Sequence, residues 1–176
     1  MKTFRRCARE HLFAYVLGRR PVEQAEALRF GSLVHRALAA WWLAQEARLD
    51  AAIEAMRQHA ADEYDAVRVG VLMQGYDLMW GTEPYEVISV ESRFQAPLLN
   101  PATGAASRTF ELAGVLDVLV RDTRDGRTKL IEHKTSSEDI GQGSDYWKRL
   151  VIDPQISTYF AGCKAAGHDV TECVYD

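Results

Sequence analysis

Two acidic residues and a lysine sit in apolar surroundings in the second half of the chain. Asp117 falls within the apolar run 110–120, and Glu132 and Lys134 fall within the segment 129–134. Between the two runs, Asp125–Gly126 is a hairpin signal. With those two residues at the turn, antiparallel pairing sets Asp117 opposite Lys134 and Glu132 opposite Leu119. Side chains alternate faces along a strand, so Asp117, Glu132 and Lys134 share one face. Leu116, Val118, Ile131 and His133 take the other. Isolated charges on an apolar hairpin are costly, and neighbouring carboxylates raise each other's pKa. A divalent cation relieves both problems, and an oxygen-rich site with open positions suits Mg²⁺ or Mn²⁺. A lysine beside it holds or deprotonates a water, or stabilises a phosphate oxygen. Metal, oriented water and cation together suit in-line attack on a phosphodiester. The plain alternative is an internal ion pair of Lys134 with Asp117 or Glu132.

These residues need a frame. Residues 1–80 read as helical and 84–176 as a sheet-containing core. In the first helix Phe4, Cys7, Ala8, His11, Leu12 and Tyr15 recur every three or four positions until Gly18 and Pro21. A second helix begins near Gly31, with Leu33, Val34, Ala37, Leu38, Trp41 and Gln45 as its stripe. Asp50 caps a third carrying Ile53, Met56, Ala60 and Tyr64, and a short fourth spans 69–80. Strands are expected over 86–95, 110–120, 129–134 and 170–175. Residues 97–104 and 135–145 read as loops. Asp153 and Pro154, as cap and first helical residue, open a helix to about Ala166. The expected fold class is mixed α/β in one domain, 1–176, with a helical N-terminal half packed on a mixed sheet.

Composition narrows the classes. Of 176 residues, 47% are apolar and 26% charged, which fits a globular chain rather than a disordered one. No apolar run reaches the roughly 18 residues of a membrane span, and residues 1–9 lack a signal-peptide core. No membrane association is therefore expected. Cys7, Cys163 and Cys173 make an odd count with no C-x-x-C, so a reducing, cytoplasmic setting is expected. The net charge of −4 argues against a surface that grips nucleic acid all round. Charge is nevertheless segregated. Residues 1–29 carry seven basic and three acidic residues, whereas 43–83 carry three basic and eight acidic. A polyanion is drawn to the first segment and repelled by the second; two solvated helix faces would read the same way.

Gly114-Val115-Leu116-Asp117, followed fifteen residues after Asp117 by Glu132-His133-Lys134, resembles the PD-(D/E)XK nuclease superfamily, and most nearly its RecB-like, lambda-exonuclease-type branch. Three further segments resemble that branch in order: Cys7-Ala8-Arg9 through Tyr15 and Gly18, Gly31-Ser32-Leu33-Val34-His35, and Gln155-Ile156-Ser157-Thr158-Tyr159. The resemblance implies a restriction-endonuclease-like αβββαβ core and a Mg²⁺- or Mn²⁺-dependent deoxyribonuclease, with exonuclease action expected. It implies Asp117, Glu132 and His35 as metal ligands with the backbone carbonyl of His133, Lys134 as the catalytic lysine, and Gln155 and Tyr159 lining the site and placing DNA. DNA is the implied partner, with roles in repair or recombination; a helicase or recombination protein, and the oligomeric state, stay open. Gln155 and Tyr159 are i, i+4 and share a helix face. A lone histidine like His35 on the shoulder of an apolar stripe is more often a core residue.

Other residues carry less. Glu91 on the first strand either points toward the site or pairs with Arg93 or Arg108 at the surface. Arg5, Arg6, Arg9, Arg19, Arg20, Lys148 and Arg149 either contact phosphates or are solvated. Tyr146 and Trp147 beside Lys148 are a stacking platform or loop packing. An iron–sulfur cluster is not supported: Cys7 stands where an early ligand would, but Cys163 and Cys173 lack the clustered spacing. The chain ends just after its last strand, so further cysteines beyond it stay open. Two rivals remain: a catalytically silent nuclease-fold module that binds DNA or a repair partner, and a metal-dependent hydrolase acting elsewhere.

Overall fold

The computed structural model describes residues 2–19, 21–23 and 25–176, without the side chains of Lys2 and Arg5. Arg20, a candidate phosphate contact, lies outside the described residues, as does the side chain of Arg5. The chain forms two compact units, Met1–Phe30 and Gly31–Asp176. The first holds α1 (Lys2–Arg6), α2 (Ala8–His11) and a π-helical turn (Leu12–Val16). The single helix expected here is broken at Cys7, whose extended backbone caps α2 and whose Sγ accepts from the Glu10 N–H at 3.4 Å. The candidate cations Arg9 and Arg19 both lie over the Phe13 ring, 5.6 Å from its centroid, and Arg6 pairs with Glu10.

The second unit is built on three further helices, a sheet and two more helices. Helix α3 (Glu26–Leu43) starts earlier than the expected Gly31 and buries Leu33, Val34, Ala37, Leu38 and Trp41, as the spacing implies; Trp42 is buried as well, and Gln45, expected at the end of the stripe, lies beyond the helix. Helix α4 (Arg48–Arg57) ends earlier than the pattern through Tyr64 suggests. A new helix, α5 (Glu63–Trp80), begins there because the Asp62 carboxylate caps it, accepting from the Asp65 N–H at 2.8 Å. Helices α3 and α5 are cross-linked by both indoles of α3: Trp41 Nε1 donates to Asp77 Oδ1 at 2.7 Å and Trp42 Nε1 to the Tyr76 hydroxyl at 2.9 Å. Among the described residues no helix is long and apolar enough to cross a membrane.

The sheet contains β1 (Tyr85–Leu99), β2 (Ala106–Asp122), β3 (Thr128–Glu132) and β4 (Val170–Tyr175), in that spatial order. The first two pairs are antiparallel and β3–β4 is parallel, so the sheet is mixed. Strand β1 runs through Pro97, which the sequence places in a loop. A proline lacks the ladder donor but is tolerated on an edge strand, and Pro97 keeps its register with Glu111.

The β2–β3 turn corrects the expected pairing. The Asp122 N–H donates to the Arg127 carbonyl at 2.9 Å, enclosing four residues rather than two, with Gly126 in the left-handed region at φ 74°. The ladder pairs Val118 with Ile131 and Leu119 with Leu130. Continued by one residue, it sets Asp117 opposite Glu132 rather than Lys134. The shift is two residues, so Asp117 and Glu132 keep a common face; Leu116, expected on the face opposite Leu119, instead joins Leu119 and Leu130 in the core under α7.

Helix α6 (Asp145–Leu150) begins where the expected loop ends, in a stretch for which no element is expected; with no buried residue it leaves no apolar periodicity to read. Helix α7 (Pro154–Ala165) starts at its Asp153 cap as expected. It packs on the sheet through Phe94, Ala96, Leu116, Leu119, Leu130, Cys163 and Val170. Phe94 fills the gap between Gly114 on β2 and Gly162 on α7; a Cβ on either would lie 2.7 or 2.5 Å from its ring.

Gly162→Ala gains about 1 kcal/mol of helix propensity but overpacks Phe94 at a cost of about 1–3 kcal/mol. A lowered urea midpoint is expected. At the turn, hydrogen bonds from Arg124, with Lys129 beside it, hold the buried Asp122 carboxyl well below the usual carboxylate range. Such a group stabilises the fold above its unfolded pKa, and that contribution fades as pH falls through its folded one. Asp122→Asn therefore lowers the urea midpoint at neutral pH, and the gap to the parent closes as pH falls below about 4.

Candidate active site

Strand β3 ends at Glu132, while β2 continues past it paired only with β1. Asp117 stands at that fork, 7% exposed. Its Oδ2 accepts the His133 N–H at 2.8 Å, which ties β2 to the segment leaving β3. That segment is strapped to β4 as well: Asp176 N–H donates to the Glu132 carbonyl at 3.0 Å and Lys134 N–H to the Asp176 carbonyl at 2.7 Å. The alternation of faces thus persists through Lys134.

Helix α3 brings His35 to the fork. Gly31, one turn earlier, allows the close approach: a Cβ there would lie 3.1 Å from Thr135 Oγ1. His35 Nδ1 lies 3.7 Å from Asp117 Oδ1 and 3.7 Å from Glu91 Oε1. His35, Glu91 and Asp117 offer ligand atoms all within 4.8 Å of one another, a carboxylate–histidine group able to hold a metal ion. Glu91, the residue given least weight from the sequence, is therefore drawn into the cluster. Its backbone is left-handed at φ 48°, and the β1–β2 ladder skips the position of Glu91 and Asp117, between Val90↔Val118 and Ser92↔Leu116. That conformation is uncommon for a residue with a Cβ, and no spacing rule foretells it. Burial first, then Asp117, pushes the Glu91 carboxyl above its ordinary pKa.

The second part of the cluster surrounds Glu132, which is 0% exposed. Its Oε1 accepts from Lys134 Nζ and from Gln155 Nε2, the latter at 2.7 Å. Gln155 Nε2 also donates to the Tyr159 hydroxyl at 2.7 Å, so the i, i+4 pair on α7 acts on one carboxylate. Glu132 Oε2 is buried with no hydrogen-bond partner among the described residues. Burial pushes the Glu132 carboxyl up to about 7, with Asp117 adding to the shift and Lys134 opposing it. Burial also pushes the Tyr159 hydroxyl up to about 12. The Lys134–Glu132 pair is the ion pair allowed for in the sequence.

His133 divides between the two faces. Its backbone N–H serves Asp117; among the described residues its carbonyl takes part in none of the cluster's contacts. Its ring lies on the helical side, as alternation requires, 5.7 Å from the Tyr76 ring and 6.3 Å from that of His35. Asp176, which no motif marks, holds that ring: Oδ2 lies 3.2 Å from His133 Nδ1, and Oδ1 accepts from Trp80 Nε1 at 3.1 Å.

The fit to a cation rests on two features. An orphaned carboxylate oxygen buried at Glu132 lacks a partner that a hard cation supplies. The oxygen-rich donor set at Glu91 and Asp117, with one imidazole, is the chemistry such ions take. Comparison with curated proteins finds none that matches the chain. The model of the PD-(D/E)XK nuclease superfamily matches residues 1–175. With that match over nearly its whole length, and with the mixed sheet carrying Asp117, Glu132 and Lys134 together at one fork, the chain belongs to the PD-(D/E)XK nuclease superfamily.

Proposed function

We propose that this nuclease-superfamily chain is a Mg²⁺- or Mn²⁺-dependent deoxyribonuclease acting as an exonuclease, in line with the RecB-like motifs it resembles. The observation that carries the reading is the juxtaposition at the β2–β3 fork of a histidine–carboxylate group with a buried glutamate bound by a lysine. Asp117, Glu132, His35 and the His133 carbonyl would hold the cation, with Glu91 as a further ligand. When bound, it would supply positive charge against the phosphate and favour ionisation of a water. The chain's own groups do the rest. The His133 amide fixes one oxygen of Asp117 and leaves the other toward His35. Lys134, oriented by Glu132, brings an ammonium to the site, the charge needed where a phosphate gains negative charge. Gln155 holds Glu132 and Tyr159 in one network, so the carboxylate keeps one orientation. The three free cysteines fit the reducing cytoplasm proposed for the protein.

Asp117→Ala and Lys134→Ala are each expected to lower Mn²⁺-dependent cleavage of linear DNA by roughly 100-fold or more while far-UV circular dichroism stays that of the parent. Parental cutting by either variant would remove that residue from the mechanism. Chelation with EDTA should abolish cleavage and Mn²⁺ should restore it. Independently of activity, Mn²⁺ should raise the melting temperature of the parent, since a ligand bound only by the folded state stabilises it. Asp117→Ala should lose most of that rise. A parent that neither binds Mn²⁺ nor cuts any DNA would instead be a silent binding module.

A further inference from the structure

Helix α6 and the end of β4 place three aromatic rings next to the acidic cluster. Tyr146 and Trp147 meet at 5.3 Å between centroids and 90° between planes. Tyr175 completes the group, 6.5 Å from Tyr146 and 6.4 Å from Trp147. Aromatic rings usually gather to form a core. Here Tyr146 and Tyr175 are half-buried, and Trp147, 38% exposed, is the ring of the three that opens to solvent. The indole is nevertheless oriented, since its Nε1 donates to the Ile140 carbonyl at 2.7 Å.

The position of the trio is set from two sides. Tyr175 stands in ladder register with Glu132. On the other side, the short connection 151–153 joins α6 to α7, whose Gln155 binds that same glutamate. Lys148 and Arg149 follow Trp147 on α6, with exposed side chains tied only by surface ion pairs to Asp145 and Glu138 among the described residues. Such pairs are worth little in water and exchange readily for a phosphate. An oriented, exposed indole with exposed cations at its side has the make-up of a stacking platform for a strand without base pairing.

Resting on the nuclease reading of the neighbouring cluster, the geometry points to a base-stacking subsite formed by Tyr146, Trp147 and Tyr175, which takes an unpaired nucleobase next to the phosphate to be cut. The substrate is then a single strand or a frayed duplex end. A strand with bases and a strand without them carry the same phosphates, and this separates stacking from charge. Binding is measured on the full chain carrying Asp117→Ala, by fluorescence anisotropy, with labelled oligothymidylate and with an abasic strand of equal length. Adding Trp147→Ala should weaken binding to oligothymidylate by roughly 5- to 100-fold and leave the abasic strand unchanged. Trp147→Phe should keep most of the affinity. Equal affinity for oligothymidylate with and without Trp147, equal loss on both strands, or no binding of either strand would each overturn the subsite. Because this comparison involves no cleavage, it is independent of whether the parent cuts DNA with Mn²⁺, the measurement that decides the nuclease reading.

Discussion

A carboxylate withdrawn from water is the constraint around which the second unit is organised. Glu132 ends the central strand β3 with no exposed surface. An ion in that position costs several kcal/mol unless its oxygens are bonded. One oxygen is answered by Lys134 and Gln155, from two different elements, and the other by no group of the chain among the described residues. Lys134 can reach it because residues two apart on extended chain share a face, and the chain stays extended there because Asp176 prolongs the β3–β4 ladder. Gln155 can reach it because α7 lies close to the sheet. That closeness depends on Phe94 fitting between two glycines.

The cluster is thus assembled by backbone geometry more than by attraction between its members. The carboxyls of Glu91 and Glu132 are both raised, first by burial, with repulsion from Asp117 adding to each. They are brought together by a sheet fork, a helix resting on Thr135 through Gly31, and an amide that binds one oxygen of Asp117. Interactions of this kind are formed before any ligand arrives. A site of like charges held by the fold is prepared for a cation, since the cost of repulsion has been met in folding.

Much of this could be read in the residues. The apolar stripe of α3 from Leu33 to Trp41, the Asp153–Pro154 start of α7 and the strand 170–175 follow from periodicity and capping, and the structure repeats them. The four-residue turn shifts the pairing by two residues, and because faces repeat every two, Asp117 and Glu132 still share one. What the residues hide has physical causes. Helix α6 buries nothing, so it writes no pattern. Pro97 in β1 is permitted only by that strand's place at the edge, a fact of topology. Glu91 depends on a backbone angle, and the Asp176–His133 contact joins residues far apart in the chain.

The left-handed backbone at Glu91 places two demands on one position. A glycine would adopt φ 48° without penalty, and asparagine nearly so, whereas glutamate bears a cost of about 1 kcal/mol or more. Relaxing the main chain and keeping the carboxylate are therefore opposed aims. Selection for a sturdier molecule alone would drift toward the smaller residues here, so position 91 is where robustness and chemistry trade against each other.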